Sequence, residues 1–122
     1  MDNTAKKTDI IFISHDDMLI DNIISYLTFR KKSLKAEKYN HPAGFLDNRQ
    51  KYQKDTKICI CHRDFDGVKN YGVELVKSLY EDGYKKLYLF TGYARDSLGN
   101  IPNYLTVMLK GDLDAIDVLL QP

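Results

Sequence analysis

A small set of residues carries side chains suited to phosphate and a hard cation: Asp16, Asp17, Asp64, Asp66, Thr91 and Lys110. Carboxylates gathered at one place repel and raise one another's pKa unless a cation neutralises them, so such a cluster calls for a hard divalent ion, Mg²⁺ being the best match. A lysine ammonium and a hydroxyl facing that ion make a seat for a tetrahedral anion, and a free carboxylate oxygen can attack phosphorus. Phosphoryl transfer to an aspartate is the reaction that uses every member of the set. Taken singly, each residue also has an ordinary structural role: Asp16 or Asp17 as a helix N-cap, Asp66-Gly67 and Thr91-Gly92 as turns, Lys110 as a solvated strand end. The set acquires meaning only if the fold brings it together.

The elements that must do so can be read along the chain. Asp9 to Ser14 is an apolar run rich in β-branched residues, the pattern of a strand buried on both faces, and it stops at His15-Asp16-Asp17. From Met18 to Phe29, Leu19, Ile20, Ile23, Ile24 and Leu27 recur three and four apart and predict a helix. Leu34 to Tyr39 alternates weakly as a second strand, and His41-Pro42-Ala43 opens a short helix through Leu46 to Arg49. Lys57 to Cys61 is a third strand, followed by a polar loop from His62 to Asn70. Val73, Val76, Leu79 and Tyr80 predict a helix over about Tyr71 to Glu81, with Gly83 placed to stop it. Leu87 to Gly92 is a fourth strand entering a turn. Gly99, Asn100 and Pro102 leave room for barely two helical turns around Ala94 to Leu98, so the fourth helix is expected to be short or irregular. Leu105 to Leu109 is a fifth strand, and Leu113, Ile116, Val118, Leu119 and Leu120 suggest a last helix.

Strands alternating with amphipathic helices require an α/β fold: a (βα)5, doubly wound, parallel five-stranded sheet of flavodoxin-like type. Ligands of such folds bind at the carboxyl ends of the strands. Asp16 and Asp17 follow the first strand, Asp64 and Asp66 the third, Thr91 ends the fourth and Lys110 follows the fifth, so one rim collects them all.

Composition bounds the alternatives. With 122 residues, 43% of them hydrophobic, the chain makes one domain, expected over residues 9–122 after a flexible segment at residues 1–8. A formal net charge of +1 gives no field to draw in a polyanion, so direct nucleic-acid binding is not expected. The short basic runs Arg30-Lys31-Lys32 and Lys85-Lys86 read as solvated helix ends. No apolar run is long enough to span a bilayer, and the start is too polar for a signal peptide, so a cytoplasmic protein without a membrane partner is expected. The 2 cysteines, Cys59 and Cys61, leave one strand on the same face and read as reduced core thiols. His15 and His62 read as surface groups beside the rim, and the 9 tyrosines as amphipathic cover.

In the order and spacing of these motifs the chain resembles the receiver domain of bacterial two-component response regulators. His15-Asp16-Asp17 matches the acidic pair after the first strand, Gly72-Val73-Glu74-Leu75 the run opening the helix after the acceptor, and Thr91-Gly92 and Lys110 the later motifs. Counting back from Tyr71-Gly72 sets Asp64 as phosphoacceptor and Asp66 as the residue lending a backbone carbonyl to the metal. The resemblance implies Mg²⁺ held by Asp16, Asp17, Asp64 and Asp66, and phosphoryl oxygens contacted by Thr91, Lys110 and the backbone N–H groups of Phe65 and Gly92. It further implies a histidine kinase or histidine phosphotransfer protein as donor and a downstream protein as output, with at most intrinsic autophosphorylation and autodephosphorylation as enzymatic activity. Three departures stand out. Gly111 replaces the proline that commonly follows the lysine, Val107 occupies the position of the family's switching aromatic, and the stretch from Thr91 to Lys110 is short.

Two other readings fit parts of the pattern. A receiver fold can serve as a phosphorylation-independent interaction module, a pseudo-receiver. Asp64-Phe65-Asp66-Gly67-Val68 also resembles the nucleophile motif of haloacid-dehalogenase-type phosphatases, with Asp66 as acid/base. In that family, however, the strand runs straight into the first Asp near the start of the domain, whereas His62 and Arg63 intervene here and a strand, acidic loop and helix come first.

Overall fold

The computed structural model describes residues 8–62, 67, 71–92, 99, 101–109 and 116–121. Strands β1 (Ile10–Ile13), β2 (Ala36–Tyr39), β3 (Lys57–Ile60), β4 (Leu87–Thr91) and β5 (Leu105–Leu109) form one parallel sheet in the order β2-β1-β3-β4-β5. This is the flavodoxin-like order, in which the chain reverses direction across the sheet between β1 and β3. Helices α1 (Asp17–Arg30), α2 (Pro42–Asn48) and α3 (Tyr71–Glu81) alternate with the first strands. Two 3₁₀ turns complete the described elements, one at Arg49–Lys51 and one at Asp117–Leu120.

Alternation along the buried strands divides the core in two. Ile11, Ile13, Ile58, Ile60 and Leu89 face Phe45 of α2 and Val73, Val76 and Leu79 of α3. Ile10, Phe12, Cys59, Cys61 and Phe90 face Ile20, Ile23 and Leu27 of α1, with Ile116 and Leu119 of the last turn. Burying both faces is what makes β1 and β3 continuous apolar runs rather than alternating ones. Cys59 and Cys61 are free and buried together, and the neighbouring Cys61 sulfur and burial hold the Cys59 thiol well above its ordinary pKa.

The helix read over Tyr71 to Glu81 has those ends, and α1 runs one residue further at each side than its apolar stripe. The weakly patterned stretch before β3 does form a strand and a helix, because His41 Nδ1 accepts the Ala43 N–H at 3.0 Å and Pro42 opens α2. Three details differ from the sequence reading. Thr8 is not loose but buried, its hydroxyl donating to Glu37 at 2.6 Å. Tyr52 and Tyr84 are core residues rather than cover: the Tyr84 hydroxyl donates to the Arg49 carbonyl at 2.9 Å, while Tyr52 donates to Glu37 at 3.0 Å. The described end of the last helical segment is a 3₁₀ turn. The expected short fourth helix around Ala94 to Leu98 lies outside the described residues.

Candidate functional site

Because β1 and β3 are neighbours, with Ile13 opposite Ile60, the segments leaving their carboxyl ends emerge side by side at the switch point of the sheet. The β1 exit is built by Ser14, which is buried, and by Asp16, whose Oδ1 accepts the Leu19 N–H at 3.0 Å and caps α1. Asp16 N–H in turn donates to Ser14 Oγ at 3.0 Å, which closes a tight polar turn. Capping engages one carboxylate oxygen of Asp16. Asp17 stands in the first turn of α1, exposed, with Lys38 Nζ 3.8 Å away; Lys38 is held mainly by Asp21 at 2.7 Å, and that bond raises the Lys38 pKa.

Thr91 ends β4, buried, opposite Leu109 at the end of β5. Lys110 follows Leu109 in the sequence. Asp64, Phe65, Asp66 and Lys110 themselves lie outside the described residues, so the structure locates only Asp16, Asp17, Thr91 and Gly92 of the predicted site. Asp16 and Asp17 supply hard oxygen donors in contact with water, a set that suits Mg²⁺, which keeps several waters and takes one or two carboxylates. Among the described residues no group of three His, Cys, Asp or Glu side chains is arranged to hold a metal ion.

The same rim gathers the protein's 3 histidines, His41 joining the His15 and His62 that the sequence placed there. His15 follows β1, His41 follows β2 and His62 follows β3. The His15 ring lies 5.5 Å from that of His62, stacked at 21°, and 5.9 Å from that of His41. His62 Nε2 and Ser14 Oγ are hydrogen-bonded at 3.0 Å, which links the β3 exit to the turn holding Asp16. The counting of strand ends that collected the aspartates would also have collected these imidazoles. Cys61 points away from His62 into the core beside Cys59, so the two do not form a ligand pair.

No family model matches the sequence, and no curated protein matches it. Among solved structures, the response regulator StyR superposes with a TM-score of 0.59 over 94% of this chain, at 18% sequence identity. The chain has the receiver-domain fold. It spans 60% of the length of the StyR chain. None of the described helices is long and apolar enough to cross a membrane.

Proposed function

We propose that this receiver fold is a signalling switch in which Asp64 takes a phosphoryl group from a phosphohistidine of a histidine kinase or phosphotransfer protein. An Asp64 carboxylate oxygen attacks phosphorus, the phosphorus–nitrogen bond breaks, and the departing imidazole nitrogen takes up a proton. Water later attacks the same phosphorus, releasing inorganic phosphate and restoring the carboxylate. In this reading Asp16, Asp17, Asp64 and the Asp66 carbonyl would hold Mg²⁺, which would supply neutralising charge for a phosphoryl group. Thr91, Lys110 and the N–H groups of Phe65 and Gly92 bind those oxygens and orient the group. Output passes to a downstream protein.

The observation that carries the reading is the exit of β1 at the switch point of a receiver sheet, where Asp16 and Asp17 stand exposed on the same rim as buried Thr91. The phosphatase reading needs its nucleophile after the first strand of the domain, whereas β1, α1, β2 and α2 all precede Asp64 in this chain. The pseudo-receiver reading draws on Lys38, a resident cation beside Asp17.

Intact mass after incubation with acetyl phosphate and Mg²⁺ tests the proposal. A labile adduct of one phosphoryl group that requires Mg²⁺ and is lost in Asp64→Asn is expected. No adduct and no Mg²⁺ binding would replace the switch with a partner-binding module, and sustained turnover of phosphate esters would replace it with a phosphatase.

A further inference from the structure

The opposite rim of the sheet holds a cavity of about 230 Å³ that the phosphoryl-transfer reading does not use. It lies where β1, β3 and β4 begin: Asp9 precedes β1, Lys57 opens β3 and Lys86 precedes β4. Lys31, at the carboxyl end of α1, and Leu119 to Gln121 of the last turn close it. The two basic runs that read as solvated helix ends therefore each send one lysine to the same cavity, around a third that is 9% exposed.

Lys57 is a poor candidate for a purely structural lysine. Its Nζ donates to the carbonyl of Leu119 at 2.7 Å and to that of Gln121, and among the described residues it forms no ion pair with a carboxylate. An ammonium has three donors, and these two carbonyls engage two of them. Burial lowers the Lys57 pKa, and the charges of Lys86 and Lys31 lower it further. Their repulsion outweighs the attraction of Asp9, whose Oδ2 is already bonded to the Lys35 N–H at 2.8 Å. Neither Lys31 nor Lys86 has an acidic side-chain partner among the described residues. Asp9 and Asp55 also line the cavity, so three ammonium groups face two carboxylates there, and the buried Lys57 ammonium is the one whose charge is costly unless an anion joins it.

We propose that Lys31, Lys57 and Lys86 bind the phosphoryl group of a compact phosphate at the amino-terminal rim. Lysines act on phosphate as point charges, which suits a converging trio better than a planar fork would. The cavity is smaller than the roughly 300–1,000 Å³ of drug-sized sites, so the ligand has few atoms beyond the phosphate itself. Leu34, Leu119 and Leu120 offer apolar wall for a short carbon body, which separates a phosphate monoester from free phosphate. The ligand would also tie the last turn to the start of β3, because Lys57 contacts both.

The test is an amide-resolved NMR titration of the whole chain in EDTA at constant ionic strength, with inorganic phosphate in one arm and glycerol 3-phosphate in the other. Saturable shifts at Lys57, Lys86, Leu119 and Gln121 are expected, with at least tenfold weaker binding in the Lys31→Gln/Lys86→Gln double variant, whose surface positions leave the core intact. Tighter binding of the ester identifies a monoester as the ligand class, and equal binding identifies free phosphate. Shifts absent from these residues, or unchanged in the double variant, would overturn the site. EDTA and the position of the shifts keep the outcome separate from any Mg²⁺-dependent chemistry at Asp64.

Discussion

At the carboxyl-terminal rim the charged groups stand in water. Asp17 is 65% exposed at its side chain and Lys38, 3.8 Å from it, 39% exposed. At the amino-terminal rim Lys57 is withdrawn from solvent, bonded to two backbone carbonyls and more strongly affected by the charges of Lys86 and Lys31 than by that of Asp9. One sheet thus separates an edge where Asp16, Asp17 and the imidazoles gather from an edge where a buried lysine is held by the backbone of the last turn. Exposed charge pairs are screened by salt, whereas interactions of a buried ammonium are screened much less.

The largest test of this separation removes what keeps the rims apart. Phe12, at the middle of β1 and fully buried, joins the exit turn of one rim to the start of the other. Phe12→Ala is expected to cost about 3–5 kcal/mol in urea unfolding, from lost burial plus the cavity left behind. A cost below about 1.5 kcal/mol would mean that the core collapses into the space and that the sheet is a weaker spacer than its burial implies.

Lys57→Met comes next. It leaves the Leu119 and Gln121 carbonyls without their donor, at a cost of about 1–3 kcal/mol near neutral pH. The pH dependence is more diagnostic. The folded Lys57 pKa lies below the value of about 10.4 expected in the unfolded chain, so between the two the unfolded state binds more protons and this group makes stability rise with pH. The variant lacks that rise. Thermal unfolding from pH 7 to 10 should therefore show the wild-type advantage widening as pH increases; a constant gap would place Lys57 in ordinary contact with solvent.

At the other rim, Asp16→Ala should lose about 1 kcal/mol with the N-cap, while Asp16→Asn keeps an acceptor for the Leu19 N–H and stays within a few tenths of a kcal/mol of wild type. The pair separates the capping role from the proposed metal role. Asn should still weaken Mg²⁺ binding, followed by the amide shifts of Asp17 and Met18. Unchanged Mg²⁺ affinity would leave Asp16 as a cap alone.

How much of this was legible from sequence depended on where each signal lay. The parallel sheet could be read because β1 and β3 are buried on both faces and so write unbroken apolar runs, and α3 because Val73, Val76 and Leu79 recur on one face and Gly83, at φ 108°, ends it. Lys57 escaped notice because a polar first residue of an apolar run looks like a boundary, and only the returning last turn, more than sixty residues later, explains it. The tyrosines misled for a similar reason. Tyr84 precedes β4 in a polar stretch, yet its hydroxyl finds the Arg49 carbonyl and its ring enters the core beside Phe45. The aspartates were singled out as a set because Asp16 and Asp17 follow the first apolar run and Asp64 and Asp66 the third. The histidine trio was not, since its meaning arises only when β2, β1 and β3 lie side by side.

The smallest expected effect sharpens the comparison most finely. Lys38 is exposed and held by Asp21, so Lys38→Met should leave the unfolding midpoint unchanged, as is usual for surface ion pairs. It should nevertheless raise Mg²⁺ affinity about twofold to fivefold at low salt, because it removes a cation 3.8 Å from Asp17 that competes for the same carboxylate. Near 1 M salt the screening length falls to about 3 Å, and the difference between variant and wild type should vanish. A gain that survives high salt would show that Lys38 acts through the position of the Asp17 side chain rather than through its charge. The carboxyl-terminal rim would then be held by the fold as firmly as the rim around Lys57.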